Sequence, residues 1–162
     1  MVIHYCRIVI LLIKKSISKK LQKREENNFN NMIDYIPLIC SSVIVGIVSF
    51  QSILVAPSVN KIISKNDASI FLRFIWPRFF LLIGFLSLIN LLTIYIYKLD
   101  LILVTYFSLI SSTIMFFCYF ITPFINTAKD NSNNKMWFYL HLITIILTLT
   151  ALILNIMIIT QF

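Results

Sequence analysis

The sequence predicts an all-α integral membrane protein, a left-handed four-helix bundle with an interfacial helix before its second span. The chain of 162 residues is 59% hydrophobic and only 12% charged, whereas ordinary soluble domains are about 25% charged. Its mean hydropathy is +0.91. Four separate apolar runs each reach the length of about 20 residues that a helix needs to cross a bilayer. These values exclude a soluble globular domain, a disordered chain and a disulfide scaffold.

The apolar runs predict spans at residues 35–56, 77–97, 101–122 and 137–160. Lipid supplies no water to hydrogen-bond the backbone, so each run is expected to be helical. Pro57 and Pro123 directly follow the first and third runs and are expected to end those helices. Only residues 98–100 separate the second run from the third, which predicts an antiparallel helical hairpin. Residues 126–136 are polar and are expected to form a loop.

The segment 58–76 contains the predicted interfacial helix. Asn66 or Asp67 can cap a helix that starts near Ala68, with Ile70, Phe71, Phe74 and Ile75 along one side. We expect this helix to lie at the membrane surface and to run into the second span, with a bend at Pro77.

Residues 1–33 form a basic N-terminal tail, and residues 34–162 form the membrane domain. The apolar stretch from Val2 to Ile13 is too short to span, and its basic residues follow it, unlike those of a secretory signal. Two interpretations stay open: an amphipathic helix on an anionic membrane surface, or a true start at Met32. With the tail, Lys and Arg divide eight to six between the two sides, which favours cytoplasmic termini. From Met32 they divide one to six, which favours cytoplasmic first and third loops.

Small and polar residues recur at spacings of three and four within each run, the pattern by which membrane helices approach closely in a left-handed bundle. We expect these faces to contact neighbouring helices and Leu and Ile to face lipid. The four faces are Ser42, Val45, Ser49, Ser52 and Ala56; Ile83, Ser87, Asn90, Ile94 and Tyr97; Thr105, Ser108, Ser112, Met115, Tyr119 and Thr122; and His141, Thr144, Thr148, Ala151 and Asn155.

Four polar side chains inside the runs are costly to bury: Gln51, Asn90, His141 and Asn155. Each needs a partner or loses about 1–3 kcal/mol. Hydrogen bonding between helices is the favoured interpretation, and a polar path for a substrate or proton is the alternative. His141 lies about one turn into the fourth run and can titrate near neutral pH, so a ligand or proton role stays open for it.

Charged residues gather at one membrane boundary. Arg73 and Arg78 flank Pro77, and Asn126 and Asp130 follow the third span on the same side. An Arg–Asp contact would clamp this end of the bundle or form a site for an anion or a lipid headgroup. The favoured interpretation is that the arginines snorkel to lipid headgroups, with the Arg–Asp contact as the alternative. The net charge of +8 indicates contact with anionic lipid and not with nucleic acid, because no basic face carries exposed aromatic residues.

Recognisable catalytic or metal-binding constellations are missing from the sequence. Cys6, Cys40 and Cys118 are far apart, and no catalytic triad, glycine-rich phosphate loop or metalloprotease motif occurs. We therefore expect no enzymatic activity, no metal and no cofactor. A haem held between two chains of a dimer is an open alternative, because each chain offers one intramembrane histidine.

Three stretches resemble those of a known family. They are GIVSFQSILVAPSV, ASIFLRFIWPRFF, and TPFINTAKD followed by FYLHLIT. Over about residues 36–160 the chain resembles the transmembrane-protein-205-like family, four-span membrane proteins formerly catalogued as a domain of unknown function. Lys129 and Leu147 depart from the pattern, which would place Arg and a polar residue there. The resemblance implies the same four-span fold and singles out eight candidate positions: Pro57, Arg73, Pro77, Arg78, Pro123, Asn126, Asp130 and His141.

Together these features predict a multi-pass protein of a bacterial cytoplasmic membrane, a non-enzymatic component that assists transport or stress tolerance. Its expected partners are the bilayer, anionic headgroups and a second copy of itself. The alternative is a small oligomeric transporter or channel with a polar path near His141 and Asn155. A water-filled cavity that reaches both residues would favour the transporter, and a dry, packed core would favour the first function.

Overall fold

The computed structural model describes residues 32–62 and 64–162 of the chain. The predictions for the basic tail fall on residues 1–31 and lie outside the described part. All four long helices belong to one compact unit, Ile36–Phe162.

Among the described residues, four helices are long and apolar enough to cross a membrane. The first consists of α1 (Ile36–Phe50), a π-helical turn (Gln51–Val55) and α2 (Ala56–Ile62), and the other three are α3 (Lys65–Tyr97), α4 (Ile102–Asp130) and α5 (Asn134–Ile159). We refer to them as the first to fourth spans. The predicted all-α, four-span architecture is confirmed.

The turn between the second and third spans is as short as predicted. Lys98 adopts a left-handed conformation with φ of 52°, and its backbone N–H donates to the carbonyl of Ile94, a common way for a helix to end. Ser87 and Ser111 then meet at 3.1 Å, and Ser112 reaches the carbonyl of Gly84 at 3.2 Å. From Gly84 to Ser87 the residue number rises along the second span, while that of the contacting residue falls from Ser112 to Ser111 along the third. The two spans are therefore antiparallel.

The prediction that Pro57 ends the first helix is wrong, because helical structure continues to Ile62. A proline lacks an N–H and crowds the carbonyl four residues earlier. Here a π-helical turn directly precedes it, in which the N–H of Ala56 donates to the carbonyl of Gln51. Such local widening is how membrane helices tolerate proline.

Pro123 does not end the third helix either, and the polar loop predicted from residue 126 begins only after Asp130. Hydroxyl groups donate to backbone carbonyls on both sides of this proline: Thr122 to Cys118 at 2.9 Å and Thr127 to Pro123 itself at 3.0 Å. Neither bond goes to the carbonyl of Tyr119, four residues before Pro123, which is the group that the proline leaves without its usual N–H. The helix nevertheless continues to Asp130, so Asn126 and Asp130 are held on a helix.

The interfacial segment and the second span form one continuous helix of 33 residues, with Pro77 inside it. Its cap is Ser64, and not Asn66 or Asp67 as predicted. The Ser64 hydroxyl accepts from the backbone N–H of Asp67 at 3.2 Å and donates to its carboxylate at 2.6 Å. This reciprocal arrangement resembles a capping box and starts the helix before Ala68.

The predicted inward faces are correct for most of three spans and wrong for the first. Ile83, Ser87, Asn90 and Ile94 are buried in the second span, as are Ser108, Ser112, Met115 and Thr122 in the third and Thr144, Thr148, Ala151 and Asn155 in the fourth; Tyr97 is an exception at 46% exposed. In the first span the buried face is Pro37, Ser41, Ile44, Val48 and Gln51. Ser42 is exposed and donates to the carbonyl of Leu38 at 2.8 Å, so its hydroxyl needs no neighbouring helix.

The middle of the bundle is a packed apolar layer to which every span contributes. We call it the central apolar layer; it consists of Ile44, Val48, Phe79, Phe80, Ile83, Met115, Cys118 and Ala151. A smaller apolar cluster of Ile94, Val104 and Ile158 lies farther along the bundle, beside the turn that joins the second and third spans. The outer surface carries many exposed Leu, Ile and Phe side chains, as a lipid-facing surface requires.

Candidate functional site

A cavity of about 580 Å³ lies at the end of the bundle where the first and third spans finish and the second and fourth begin. All four spans contribute to its wall. The lining residues are Ser52, Ala56, Ala68, Ser69, Leu72, Arg73, Trp76, Phe80, Thr122, Ile125, Asn126, Lys129, Trp137, His141, Thr144, Ile145, Thr148 and Leu149. Three residues that the sequence singled out, Arg73, Asn126 and His141, therefore meet at one place.

Arg73 and Asp130 form an ion pair at this boundary, so the favoured interpretation of snorkelling arginines is wrong for Arg73. Nη1 of Arg73 lies 3.0 Å from Oδ2 of Asp130, and Nη2 lies 2.5 Å from Oδ1. Two parallel hydrogen bonds give the pair a fixed orientation, and they join the second span to the third at the cavity end.

Arg78 does not join this site. Its guanidinium carbon lies 3.5 Å from the centroid of the Phe74 ring, and its Nη1 donates to the Phe74 carbonyl at 2.7 Å. The side chain is exposed and does not line the cavity. Arg78 thus fits the favoured snorkelling interpretation, whereas Arg73 fits the ion-pair alternative.

His141 lies in the cavity wall as part of an aromatic and cationic stack. Its ring packs against Trp137 with a centroid distance of 5.5 Å and an interplanar angle of 10°. Lys129 also contacts Trp137. Its ammonium nitrogen lies 4.5 Å from the ring centroid, within the range of a cation–π contact. The prediction of a hydrogen-bonded histidine is not met, because the half-buried imidazole makes no hydrogen bond to a described residue.

Asn90 and Asn155 bind neighbouring helices, as the favoured interpretation predicted. Asn155 Nδ2 donates to Ser111 Oγ at 2.9 Å and to the carbonyl of Ala151 at 2.8 Å, and Asn90 Nδ2 donates to Ser41 Oγ at 3.1 Å. Gln51 differs. It is buried at 6% exposed, but its Nε2 has no hydrogen-bond partner in the described part of the chain, so the predicted bond to a neighbouring helix is not formed.

The cavity does not reach Asn155. Along the fourth span the cavity wall ends at Leu149, Ala151 belongs to the central apolar layer, and Asn155 follows one turn later. The same order, cavity then apolar layer then polar residues, holds along the other spans. His141 and Asn155 therefore lie on opposite sides of a packed layer, and the cavity that His141 lines does not extend to Asn155. The prolines at positions 57, 77 and 123 also lie outside the cavity wall and shape the helices instead.

Sequence reasoning missed the two tryptophans and assigned no role in a site to Lys129. Trp76 and Trp137 are the only tryptophans in the chain, and both line the cavity. Each stands at the start of an apolar run on the same side of the membrane. Tryptophan is enriched at membrane boundaries, so their shared position was a signal that could have placed them together.

The four long apolar helices fit a multi-pass membrane protein. No protein-family model matches the chain, and no curated protein or solved structure matches it either. The chemistry of the cavity is therefore the guide to function.

Proposed function

We propose that this protein is a non-enzymatic membrane component that binds an anionic amphiphile in the cavity and thereby assists transport or stress tolerance. The cavity itself is the observation that carries the proposal. Its volume of about 580 Å³ falls among the roughly 300–1,000 Å³ of known small-molecule sites. Its apolar walls and basic residues correspond to the two parts of an acidic amphiphile.

The apolar part of the wall suits a hydrocarbon or aromatic group. Trp76 stacks on Phe80 with a centroid distance of 5.5 Å, and Leu72, Ile125 and Leu149 also line the space. Pockets of this composition gain affinity from apolar burial, while a few polar groups orient the ligand.

The charged part of the wall suits an acidic group. No Asp or Glu lines the cavity, whereas Arg73 and Lys129 do. Arg73 is neutralised by Asp130, but Lys129 has no carboxylate partner among the described residues. Its charge is thus available to a carboxylate, sulfate or phosphate. We infer that Lys129 is the principal contact of the acidic group.

The experiment uses the two tryptophans as reporters, because both line the cavity. The protein in lipid nanodiscs is titrated with brominated dodecanoic acid, a quencher of tryptophan fluorescence, and with the uncharged brominated dodecanol. We expect saturable quenching that is stronger with the acid. In a second arm, brominated phosphatidylglycerol replaces part of the nanodisc lipid. Quenching in that arm, relieved by unlabelled dodecanoic acid, would identify a membrane lipid as the source of the amphiphile.

Lys129→Gln tests the charge. A basic residue near a membrane surface contributes about 1 kcal/mol toward an anion, so we expect this variant to bind the acid about fivefold more weakly and the alcohol unchanged. Lys135→Gln is the matched control, since Lys135 is exposed and outside the cavity wall. Equal quenching by acid and alcohol, with no effect of Lys129→Gln, would overturn the proposal.

A second candidate function is a small oligomeric transporter or channel. It is favoured by the polar residues that lie beyond the central apolar layer in line with the cavity, an arrangement that a displaced layer would convert into a path. Flux of the acid across liposome membranes that contain the protein would support this candidate, and binding without flux would support the first.

We propose membership of the transmembrane-protein-205-like family, supported by the meeting of Arg73, Asn126, Asp130 and His141 at one end of the bundle. We also propose a bacterial cytoplasmic membrane as the location, with anionic headgroups and a second copy of the chain as partners.

A further inference from the structure

We propose that the bundle holds one buried water molecule between the second, third and fourth spans, bound by Asn90, Ser108 and Asn155. Three polar atoms carry this inference: Oδ1 of Asn90, Oγ of Ser108 and Oδ1 of Asn155. None has a hydrogen-bond partner within the described residues, and all three side chains are 0% exposed. A buried polar atom without a partner is strongly unfavourable, so three such atoms together call for a shared partner.

The three side chains belong to one layer of the bundle. In the antiparallel pair of the second and third spans, Ser87 lies against Ser111 at 3.1 Å. One helical turn farther from the cavity, the next inward positions are Asn90 and Ser108, which therefore face each other. Asn155 enters the same layer from the fourth span, because its Nδ2 reaches Ser111 Oγ at 2.9 Å. We call these residues, with Ser41, the inner polar layer.

Packed apolar residues close this layer on both sides. Toward the cavity lie Ile83, Met115 and Ala151 of the central apolar layer, and toward the other end lies the cluster of Ile94, Val104 and Ile158. The serines of this layer are smaller than the apolar residues one turn away on the same helices, such as Ile83 next to Ser87 and Met115 next to Ser111. Hydrogen bonds in such apolar surroundings are strong, and polar groups without a partner are correspondingly unfavourable.

Water fits the unsatisfied atoms by its number of donors and acceptors. The two amide oxygens accept only, and the Ser108 hydroxyl can donate. One water molecule can donate to Asn90 Oδ1 and Asn155 Oδ1 and accept from Ser108, which gives it three hydrogen bonds, the usual number for buried water. The contact with Ala151 fixes which end of the Asn155 amide is the oxygen. A backbone carbonyl can only accept, so the atom that lies 2.8 Å from it must be the donor Nδ2.

A monovalent cation fits less well. The layer contains no carboxylate among its described residues, and a charge near the middle of a bilayer is strongly unfavourable without one. The Ser108 hydroxyl would also have to direct its lone pair to the ion and leave its proton without an acceptor. Water therefore matches both the charge and the hydrogen-bonding capacity of the site.

Water-edited solid-state NMR on the isotope-labelled protein in deuterated lipid bilayers tests the proposal. We expect transfer of magnetisation from water protons to the side-chain signals of Asn90 and Asn155. Asn126, which lines the open cavity, is the positive control, and the backbone of Ile83 and Ala151 in the central apolar layer is the negative control. Transfer to Asn126 without transfer to either buried asparagine would overturn the proposal.

A variant and a salt series separate water from the other possibilities. Ser108→Val removes one hydroxyl and fills the space, so we expect it to abolish the water signal at both asparagines, while the exposed Thr113→Val leaves both signals intact. Should Ser108→Val fail to fold, the spectra of the unmodified protein still decide the question. The spectra are then recorded with sodium and with choline as the only cation. Signals that depend on sodium would identify an ion and overturn the water assignment.

Discussion

Asn155 offers the strictest test of how the helices are held together. In the absence of water, membrane helices gain little from apolar contact, since lipid is as apolar as leucine, and interhelical hydrogen bonds add to packing. Asn155 is fully buried and donates to Ser111 on the third span at 2.9 Å. Replacing it with alanine removes this bond and the packing of the amide group. We therefore expect Asn155→Ala to destabilise the bundle.

The size of the effect follows from the contacts. One interhelical hydrogen bond in a membrane protein contributes about 0.6 kcal/mol on average and up to about 1.7 kcal/mol. Ser111 keeps a partner in Ser87 at 3.1 Å, so the loss does not leave its hydroxyl unsatisfied. Lost packing adds to the lost bond, and we expect about 1–2 kcal/mol in total.

Reversible unfolding in mixed micelles measures these free energies. The matched control is Thr150→Ala, because Thr150 is exposed and donates only to the carbonyl of Ile146 at 2.9 Å; we expect less than about 0.5 kcal/mol. In a double-mutant cycle with Ser111→Ala, the coupling energy should be at least about 0.5 kcal/mol. If the two substitutions add within about 0.3 kcal/mol, hydrogen bonding does not join these spans.

Three further predictions concern other parts of the bundle. Asp130→Asn should lower the melting temperature, because it removes the ion pair with Arg73 that joins the second and third spans. Exchanging the two charges, Arg73→Asp with Asp130→Arg, should restore part of the loss. Met115→Ala should cost about 2 kcal/mol or more, since Met115 is 0% exposed in the central apolar layer, whereas exposed Phe117→Ala should cost much less in the same unfolding assay. Gly84→Ala should be neutral or stabilising, because an added Cβ meets Phe116 and Met115 at ordinary contact distances of 3.4 and 3.5 Å and alanine favours helix. Gly84→Leu, by contrast, should separate the second and third spans and lower the melting temperature.

The fold was predictable because the hydropathy of each run follows directly from lipid solvation, and a long apolar run has only one way to satisfy its backbone. Proline was a poor guide to helix ends for the same reason. In water, Pro57 and Pro123 would be strong stop signals. In this bundle the helix is retained through both prolines, and a π-helical turn precedes Pro57.

Small residues alone do not always identify the face of a helix that points into the bundle. In the fourth span Thr144, Thr148 and Asn155 were placed correctly, since an asparagine must find a partner. The first span contains serines on several faces, and the choice of Ser42 in place of Ser41 rotated the predicted face by one residue. Only the partner, Asn90 on another helix, distinguishes the two serines.

The site was predictable in its charges and not in its shape. The position of Arg73 and Asp130 on one membrane side made their pairing possible, but snorkelling was the favoured interpretation, and only the structure shows the pair. The cavity depends on how four helix ends diverge, which no local pattern encodes. Lys129 was noted only as a departure from a family pattern, and its contact with Trp137 became visible only when the third and fourth spans were seen side by side.

The most direct test of the four-span arrangement is the side of the membrane from which each loop can be labelled. Single cysteines at Lys61, Lys98 and Asn131, in a protein whose native cysteines are replaced by serine, are exposed to a membrane-impermeant maleimide in sealed, oriented vesicles. The first and third positions should react from one side and Lys98→Cys only from the other. Labelling of all three from the same side would contradict the crossing pattern on which the cavity depends.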